Sequence, residues 1–203
     1  PINIITQISY FIDKYINNKQ LASNTNTLFD VIEFICHKYP YLYYDIACKT
    51  MYNYPEESIL LFEKYIEKEF PCINIIDAWE KISILYKDKN PLAYINALIK
   101  LGINCISEDN ISRAIDAAND INKFIAQGTI KSVHHPYSSM LLNFADNLAV
   151  RLKETNEADD YSKCAWIYLH AGDSHKAKEI SEQGLFIDPQ NKHCLNLKEK
   201  CSN

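Results

Sequence analysis

The sequence predicts an all-α fold in which antiparallel helical hairpins stack side by side as a solenoid of roughly 9–11 helices. Apolar residues recur with the 3.6-residue period of a helix through most of the 203 residues. Only four glycines occur, so few turns can adopt positive φ, and sandwiches, barrels and phosphate-binding loops are disfavoured. The last quarter of the chain has the residue spacing of a single helical hairpin. Because one hairpin cannot bury its own apolar face, further helices must stack beside it.

Composition and charge narrow the classes of function. The net charge is -5 and the only arginines are Arg113 and Arg151, whereas nucleic-acid binding needs clustered Lys and Arg. No apolar run approaches the roughly 18 residues that span a bilayer, and no signal peptide is visible. The seven cysteines form no CxxC motif, which indicates reduced thiols. We therefore expect a cytoplasmic protein that binds neither nucleic acid nor a membrane.

Residues 1–39 are predicted to form a divergent N-terminal hairpin. An isoleucine-rich stripe predicts its first helix over residues 2–18. Short polar residues then precede a second helix, which ends at Pro40. The apolar stripe predicted for this second helix consists of Leu28, Phe29, Ile32, Phe34 and Ile35.

Two further hairpins are predicted over residues 40–109, one starting at Pro40 and the other at Ile76. In the second of them, Asn90 is placed to cap a helix that opens with a proline. Proline suits this position because its φ is already helical and no amide hydrogen bond is lost. The helix is predicted to end at Gly102.

Residues 110–157 keep the form of a hairpin without its signature spacing. Ser107 is predicted to cap a helix over residues 107–127, in which acidic residues follow the cap and favour the positive end of the helix. An irregular loop over residues 129–135 is predicted to connect this helix to another over residues 137–153.

Residues 158–191 form the best-specified hairpin, and residues 192–203 are predicted as a short helix that caps the open end of the stack. The pattern of the hairpin consists of Tyr161, Ala165, Tyr168, Gly172, Ala177 and Pro189. Small residues at Ala165 and Ala177 allow two helices to cross closely, and Pro189 follows the second helix as a stop.

This spacing resembles that of the tetratricopeptide repeat family, with Gly184 in place of the family's usual alanine. A weaker resemblance covers residues 40–109, where the family's W-x2-L-G-x2-Y stretch is matched by Trp79, Ile82, Ser83 and Tyr86. The resemblance implies a right-handed solenoid over residues 1–203 as a single domain, with a concave groove lined by the first helices of the hairpins. It also implies binding rather than a reaction, because the family's motif specifies helix packing.

The resemblance further implies which residues meet a partner. The candidates are Tyr41, Tyr44, Met51, Tyr52, Glu80, Lys87, Ser162, Trp166 and His170. Tyrosines suit recognition because they offer a large rigid surface with a hydrogen-bonding tip. The alternative is that several of these tyrosines pack between neighbouring hairpins. The Lys and Asn pair with which some family members hold a peptide carboxylate is absent from these positions.

No residue pattern indicates catalysis. The sequence contains no GxSxG, HExxH, phosphate-loop or dinucleotide-binding motif. His134 and His135 form a pair in the predicted loop, but no carboxylate or cysteine lies nearby at ligand spacing. We therefore expect no enzyme activity, no cofactor and no bound metal.

Two functions fit these expectations. The first is a protein- or peptide-binding module that uses the concave groove. The alternative is a regulatory or sensor domain at the C-terminal end of a larger protein, attached for example to a nucleotide-switch or effector domain. The start at Pro1 without a methionine favours this alternative slightly. Uncovered solenoid ends would also allow copies of the chain to pair as homo-oligomers.

Overall fold

The computed structural model describes residues 6–7, 10–11, 14, 25–68, 74–128 and 137–202. Within these ranges it contains ten α-helices and no strand, so the all-α prediction is confirmed for them. The helices are α1 (Thr25–Lys38), α2 (Leu42–Thr50), α3 (Pro55–Glu67), α4 (Ile75–Tyr86), α5 (Pro91–Ser107), α6 (Ile111–Ala126), α7 (Tyr137–Arg151), α8 (Ala158–His170), α9 (Ser174–Ile187) and α10 (Lys192–Lys200). Most of the predicted first helix, and the predicted loop after α6, lie outside the described residues.

The chain divides into two compact units, residues 1–85 and residues 86–203. In the first unit, α2 packs against α3. Its most deeply buried side chains include Ile32, Cys36, Leu42, Ile46, Ala47, Leu61, Phe62, Ala78 and Ile82. The buried hydroxyl oxygens of Thr50 and Ser58 lie 2.7 Å apart and join the end of α2 to the start of α3.

The predicted apolar stripe of α1 is wrong at Phe34, which is 80% exposed. Ile32 and Cys36 are the buried residues of this helix. They are four residues apart and share one face, whereas Phe34 lies two residues from each and points to the other side of the helix.

In the second unit, α6 and α7 each pack against α5 and against α8, while α8 packs against α9 and α10. Its most deeply buried side chains include Ile99, Ile121, Leu141, Phe144, Leu148 and Leu197. The two small residues that were predicted at the crossing of α8 and α9, Ala165 and Ala177, are fully buried. This burial is what their predicted packing role requires.

The predicted helix end at Gly102 is wrong, because α5 continues through this glycine to Ser107. A Cβ atom at Gly102 would lie 2.4 Å from Cε2 of Phe144 on α7. Glycine therefore allows a close approach of two helices at this position, and does not end a helix. The cap of α6 is Asn110, not the predicted Ser107, since the Asn110 side chain accepts a hydrogen bond from the backbone N–H of Arg113 at 3.3 Å.

A polar network links α7, α8 and α9. The Tyr168 hydroxyl and the Lys176 ammonium both donate to Oδ1 of Asp146, at 2.7 and 2.6 Å. Both donors lower the pKa of the Asp146 carboxyl, and Lys176 has the larger effect. In the turn that precedes α9, Gly172 has a φ of 92°, and the Asp173 side chain caps the helix by accepting from the backbone N–H of Lys176 at 2.9 Å.

Candidate functional site

A groove of about 380 Å³ lies between α6 and α8 in the second unit. The α6 residues on its wall are Asn119, Asn122, Lys123 and Ala126. The α8 residues are Asp159, Ser162, Lys163, Trp166 and His170, and α10 adds His193. Residues three or four positions apart share one face of a helix, so each of the two helices presents a single continuous face to the groove.

Trp166 and His170 form an aromatic pair on α8. Their ring centroids are 5.6 Å apart and the ring planes are inclined by 28°, which is a stacked arrangement. Nζ of Lys200, the last residue of α10, lies 4.6 Å from the centroid of the Trp166 ring. This distance is typical of a cation–π contact. The end of α10 therefore packs a positive charge against the aromatic wall of α8.

His170 is uncharged at neutral pH. Burial, and to a smaller extent the nearby ammonium of Lys200, lowers the pKa of His170 from 6.5 to about 4. The imidazole ring consequently offers one N–H donor and one nitrogen acceptor, without a positive charge. A general base works best when its pKa lies near the operating pH, so this histidine is poorly suited to acid–base catalysis at neutral pH.

Asn122 connects the two walls of the groove. Its Nδ2 donates to the backbone carbonyl oxygen of Lys163 on α8 at 2.8 Å. Because a carbonyl can only accept, this hydrogen bond fixes which end of the amide faces α8. Oδ1 of Asn122 is buried and has no hydrogen-bond partner among the described residues. A buried oxygen is closed to a ligand, so Asn122 serves to hold α6 against α8.

The carboxylates beside the groove accept hydrogen bonds, whereas two nearby lysines have no carboxylate partner in the described ranges. Asp159 accepts from a side-chain amide in the turn before α10 at 2.6 Å, and Asp160 accepts from Nζ of Lys163 at 2.9 Å. In the part of the chain that the structure describes, no carboxylate lies within 4.0 Å of Nζ of Lys123 or Lys200. Neither of these two ammonium groups is therefore paired with a carboxylate among the described residues.

The structure brings together three of the residues predicted to meet a partner. Ser162, Trp166 and His170 all lie on the wall that α8 contributes. Ser162 is only 4% exposed, and its hydroxyl donates to the backbone oxygen of Asp159 at 2.7 Å. Ser162 thus belongs to the floor of the groove, while Trp166 and His170 are half-buried on the same wall.

The candidates in residues 39–54 lie in the first unit and have different environments. Tyr41 and Tyr52 are exposed, and Tyr52 is 84% exposed in the turn after α2. Met51 is buried, with 4% exposure, so its side chain lies in the core and not on the surface. The hydroxyl of Tyr44 donates to Asp77, and burial together with this bond raises the pKa of Tyr44. Tyr44 therefore fits the packing alternative.

Glu80 and Lys87, the two remaining candidates, are not among the residues that line the groove. Glu80 is half-buried on α4, and Lys87 is exposed in the turn that follows this helix.

A larger cavity of about 590 Å³ lies between α1 and α3 in the first unit, where Phe34 contributes to the wall. Lys64 and Glu33 on this wall form an ion pair with each other. No candidate residue lines this cavity.

Metal-binding and membrane-spanning features were sought among the described residues. No three His, Cys, Asp or Glu side chains in these ranges are grouped closely enough to hold a metal ion. His134 and His135 lie outside the described residues. None of the helices in the described part of the chain combines the length and the apolar character needed to cross a bilayer.

Comparison of the chain with protein-family models, with curated proteins and with solved structures finds no match.

The sequence analysis missed the contribution of α6 to the groove. Asn119, Asn122 and Lys123 belong to no motif in the sequence. The signal that could have found them is their spacing of three and four residues, which places polar side chains on one face of an otherwise apolar helix.

Proposed function

We propose that this chain is a non-catalytic protein- or peptide-binding module that uses the groove between α6 and α8. The observation that carries this proposal is the position of Ser162, Trp166 and His170. These residues were chosen from the repeat pattern alone, and all three line one groove. Tryptophan is among the residues that contribute most to binding energy at protein interfaces, and Trp166 is only half-buried.

We further propose that the helices of the second unit stack as a solenoid similar to tetratricopeptide repeats. The contacts support this arrangement, since α6 contacts α8 and α8 contacts α10, while α5 contacts α7. Alternate helices thus touch each other as well as their neighbours in sequence, as in stacked hairpins. The groove then lies along the row formed by α6, α8 and α10.

The dimensions of the groove fit a short peptide. A volume of about 380 Å³ lies near the lower end of the range of ligand pockets, roughly 300–1,000 Å³. Such a space takes a few side chains of an extended segment, with the aromatic pair as the main apolar contact. The neutral imidazole of His170 adds hydrogen-bonding capacity at the same place.

A selection from a library of random twelve-residue peptides, displayed at the amino terminus of a phage coat protein, tests the proposal. We expect related peptides to be enriched on the parent protein and to lose binding to Trp166→Ala. A second variant, Ala126→Phe, fills the groove from an exposed position and should block the same peptides without altering the fold. Val150→Phe is the matched control, because Val150 is 65% exposed on α7 and does not line the groove.

The readouts are fluorescence polarisation for binding and circular dichroism for helicity. The proposal is contradicted if no peptide family is enriched, or if the enriched peptides bind both groove variants as tightly as they bind the Val150→Phe control. Loss of helicity in Trp166→Ala would assign that side chain to packing, and Ala126→Phe would then decide the question alone.

A further inference from the structure

We infer that the groove between α6, α8 and α10 binds an acidic peptide, whose side-chain carboxylates pair with Lys123 and Lys200 while its apolar part packs on Trp166. This inference rests on the proposed binding function. It adds the chemistry of the partner, which neither the repeat pattern nor the fold specifies.

The first support is the local charge. Lys123 and Lys163 line the groove, and the ammonium of Lys200 lies over the ring of Trp166 on its wall. Two carboxylates lie beside the groove, those of Asp159 and Asp160, and both already accept short hydrogen bonds. The chain as a whole carries a net charge of -5, so this surface differs in sign from the average of the molecule. An acidic ligand is the one that this local excess of ammonium groups complements.

The second support is the geometry of Lys200. Its ammonium lies over the Trp166 ring, and the ring occupies only one side of the ammonium. Because an ammonium has three N–H donors, it can donate to a carboxylate while it stays over the ring. A carboxylate bound there would lie beside an apolar surface, which suits a peptide that alternates acidic and apolar side chains.

Other occupants fit less well. A basic peptide would bring its charges toward two lysines that have no carboxylate within 4.0 Å among the described residues. A neutral peptide would supply no carboxylate to pair with either ammonium group. Metal ions are disfavoured because His170 and His193 are accompanied on the wall by a single carboxylate, which already accepts a hydrogen bond.

The peptides recovered from the display library supply the probes. We expect them to be enriched in Asp and Glu relative to the unselected library. A synthetic copy with an amidated C-terminus should bind, since the contacts assigned here are to side-chain carboxylates. Replacement of its Asp and Glu by Asn and Gln should weaken binding by about three- to tenfold, and a rise from 50 to 500 mM NaCl should also weaken it because salt screens exposed ion pairs.

The protein variants are matched in charge. The double variant Lys123→Gln with Lys200→Gln is expected to bind the acidic peptide about three- to tenfold more weakly, the effect of losing two exposed ion pairs. Lys89→Gln with Lys153→Gln is the control, since it removes the same charge at two exposed lysines that do not line the groove. This control should keep the affinity of the parent within about twofold.

The outcomes separate the two proposals. Peptides that depend on Trp166 but carry no acidic enrichment, or that bind the double variant and the control equally well, would overturn the acidic ligand and leave the binding module standing. Absence of any peptide that depends on the groove would remove both. If the peptides bound only with a free C-terminal carboxylate, the assignment of the contacts to side-chain carboxylates would be overturned.

Discussion

Gly102→Ala tests how closely α5 and α7 approach each other. In an isolated helix this change would be stabilising, by about 0.5–1 kcal/mol, because alanine loses less backbone entropy than glycine on folding. The structure predicts the opposite. A Cβ atom at position 102 would lie 2.4 Å from Cε2 and 2.5 Å from Cζ of Phe144, and Phe144 is fully buried.

The magnitude follows from these distances. Carbon atoms pack best at roughly 3.5–4.0 Å, so the Phe144 ring would have to move by about 1 Å into an occupied core. Overpacking of this kind costs about 1–3 kcal/mol, and a fully buried ring lies at the upper end of that range. After the gain in helix propensity is subtracted, the expected loss in the free energy of unfolding is about 2 kcal/mol. With a urea m value of about 2 kcal/mol per molar, the midpoint falls by about 1 M.

Tryptophan fluorescence during urea unfolding measures this loss. The chain has two tryptophans, and Trp166 lies in the same unit as Gly102, so a Trp79→Phe background reports on that unit alone. Phe144→Leu removes the two nearest ring atoms, after which the closest remaining atom of the original side chain is Cδ2 at 3.2 Å. Gly102→Ala should therefore cost at least about 1 kcal/mol less in the Phe144→Leu background. An alanine variant as stable as its parent, or equal costs in both backgrounds, would refute the close approach.

Two further predictions concern α8 and α9. Ala177→Leu should lower the free energy of unfolding by roughly 1–3 kcal/mol, because Ala177 is fully buried and has no space for three more carbons; an unchanged midpoint would show that the crossing has room. His170→Gln should reduce the loss of stability on acidification. The folded-state pKa of His170, about 4, lies below the unfolded value of about 6.5, so the unfolded chain binds the proton first as the pH falls through this interval. In the parent, this histidine should lower the free energy of unfolding by about 2 kcal/mol between pH 7 and pH 5. The control variant His175→Gln, which changes an exposed histidine, should show the same loss as the parent. If His170→Gln loses as much stability as the parent, His170 is not the source of the pH dependence.

Local chemistry made some helix boundaries predictable from the sequence. Asn90 was predicted as the cap of α5, because a short side chain with an oxygen acceptor can reach a free backbone N–H two or three residues ahead. The end of α5 was not predictable in this way. Glycine is typical of a helix end, but Gly102 lies within α5, where the Phe144 ring of α7 leaves no room for a side chain. A glycine required by a distant residue looks the same in sequence as one required by a turn.

The same distinction explains which part of the site was predictable. The face of α8 could be predicted from the resemblance to tetratricopeptide repeats, which implies that Ser162, Trp166 and His170 meet a partner. The opposite wall depends on which helix packs against α8, and that choice is made by the tertiary packing of α6. The environment of Tyr44 was unpredictable for the same reason, since its partner Asp77 lies 33 residues away in sequence.

Gly184 connects this packing to the groove. It was the one residue of the last hairpin that departed from the repeat pattern, and a Cβ atom there would lie 2.7 Å from Sγ of Cys194 and 3.0 Å from Cβ of Tyr161. Glycine at this position thus lets α9 approach both α8 and α10. Cys194 is fully buried on α10, so its contact with Gly184 helps to position this helix, which ends at Lys200. Gly184 thus contributes to the packing of α10, the helix that ends at Lys200, whose ammonium lies over Trp166 and is assigned to the acidic ligand.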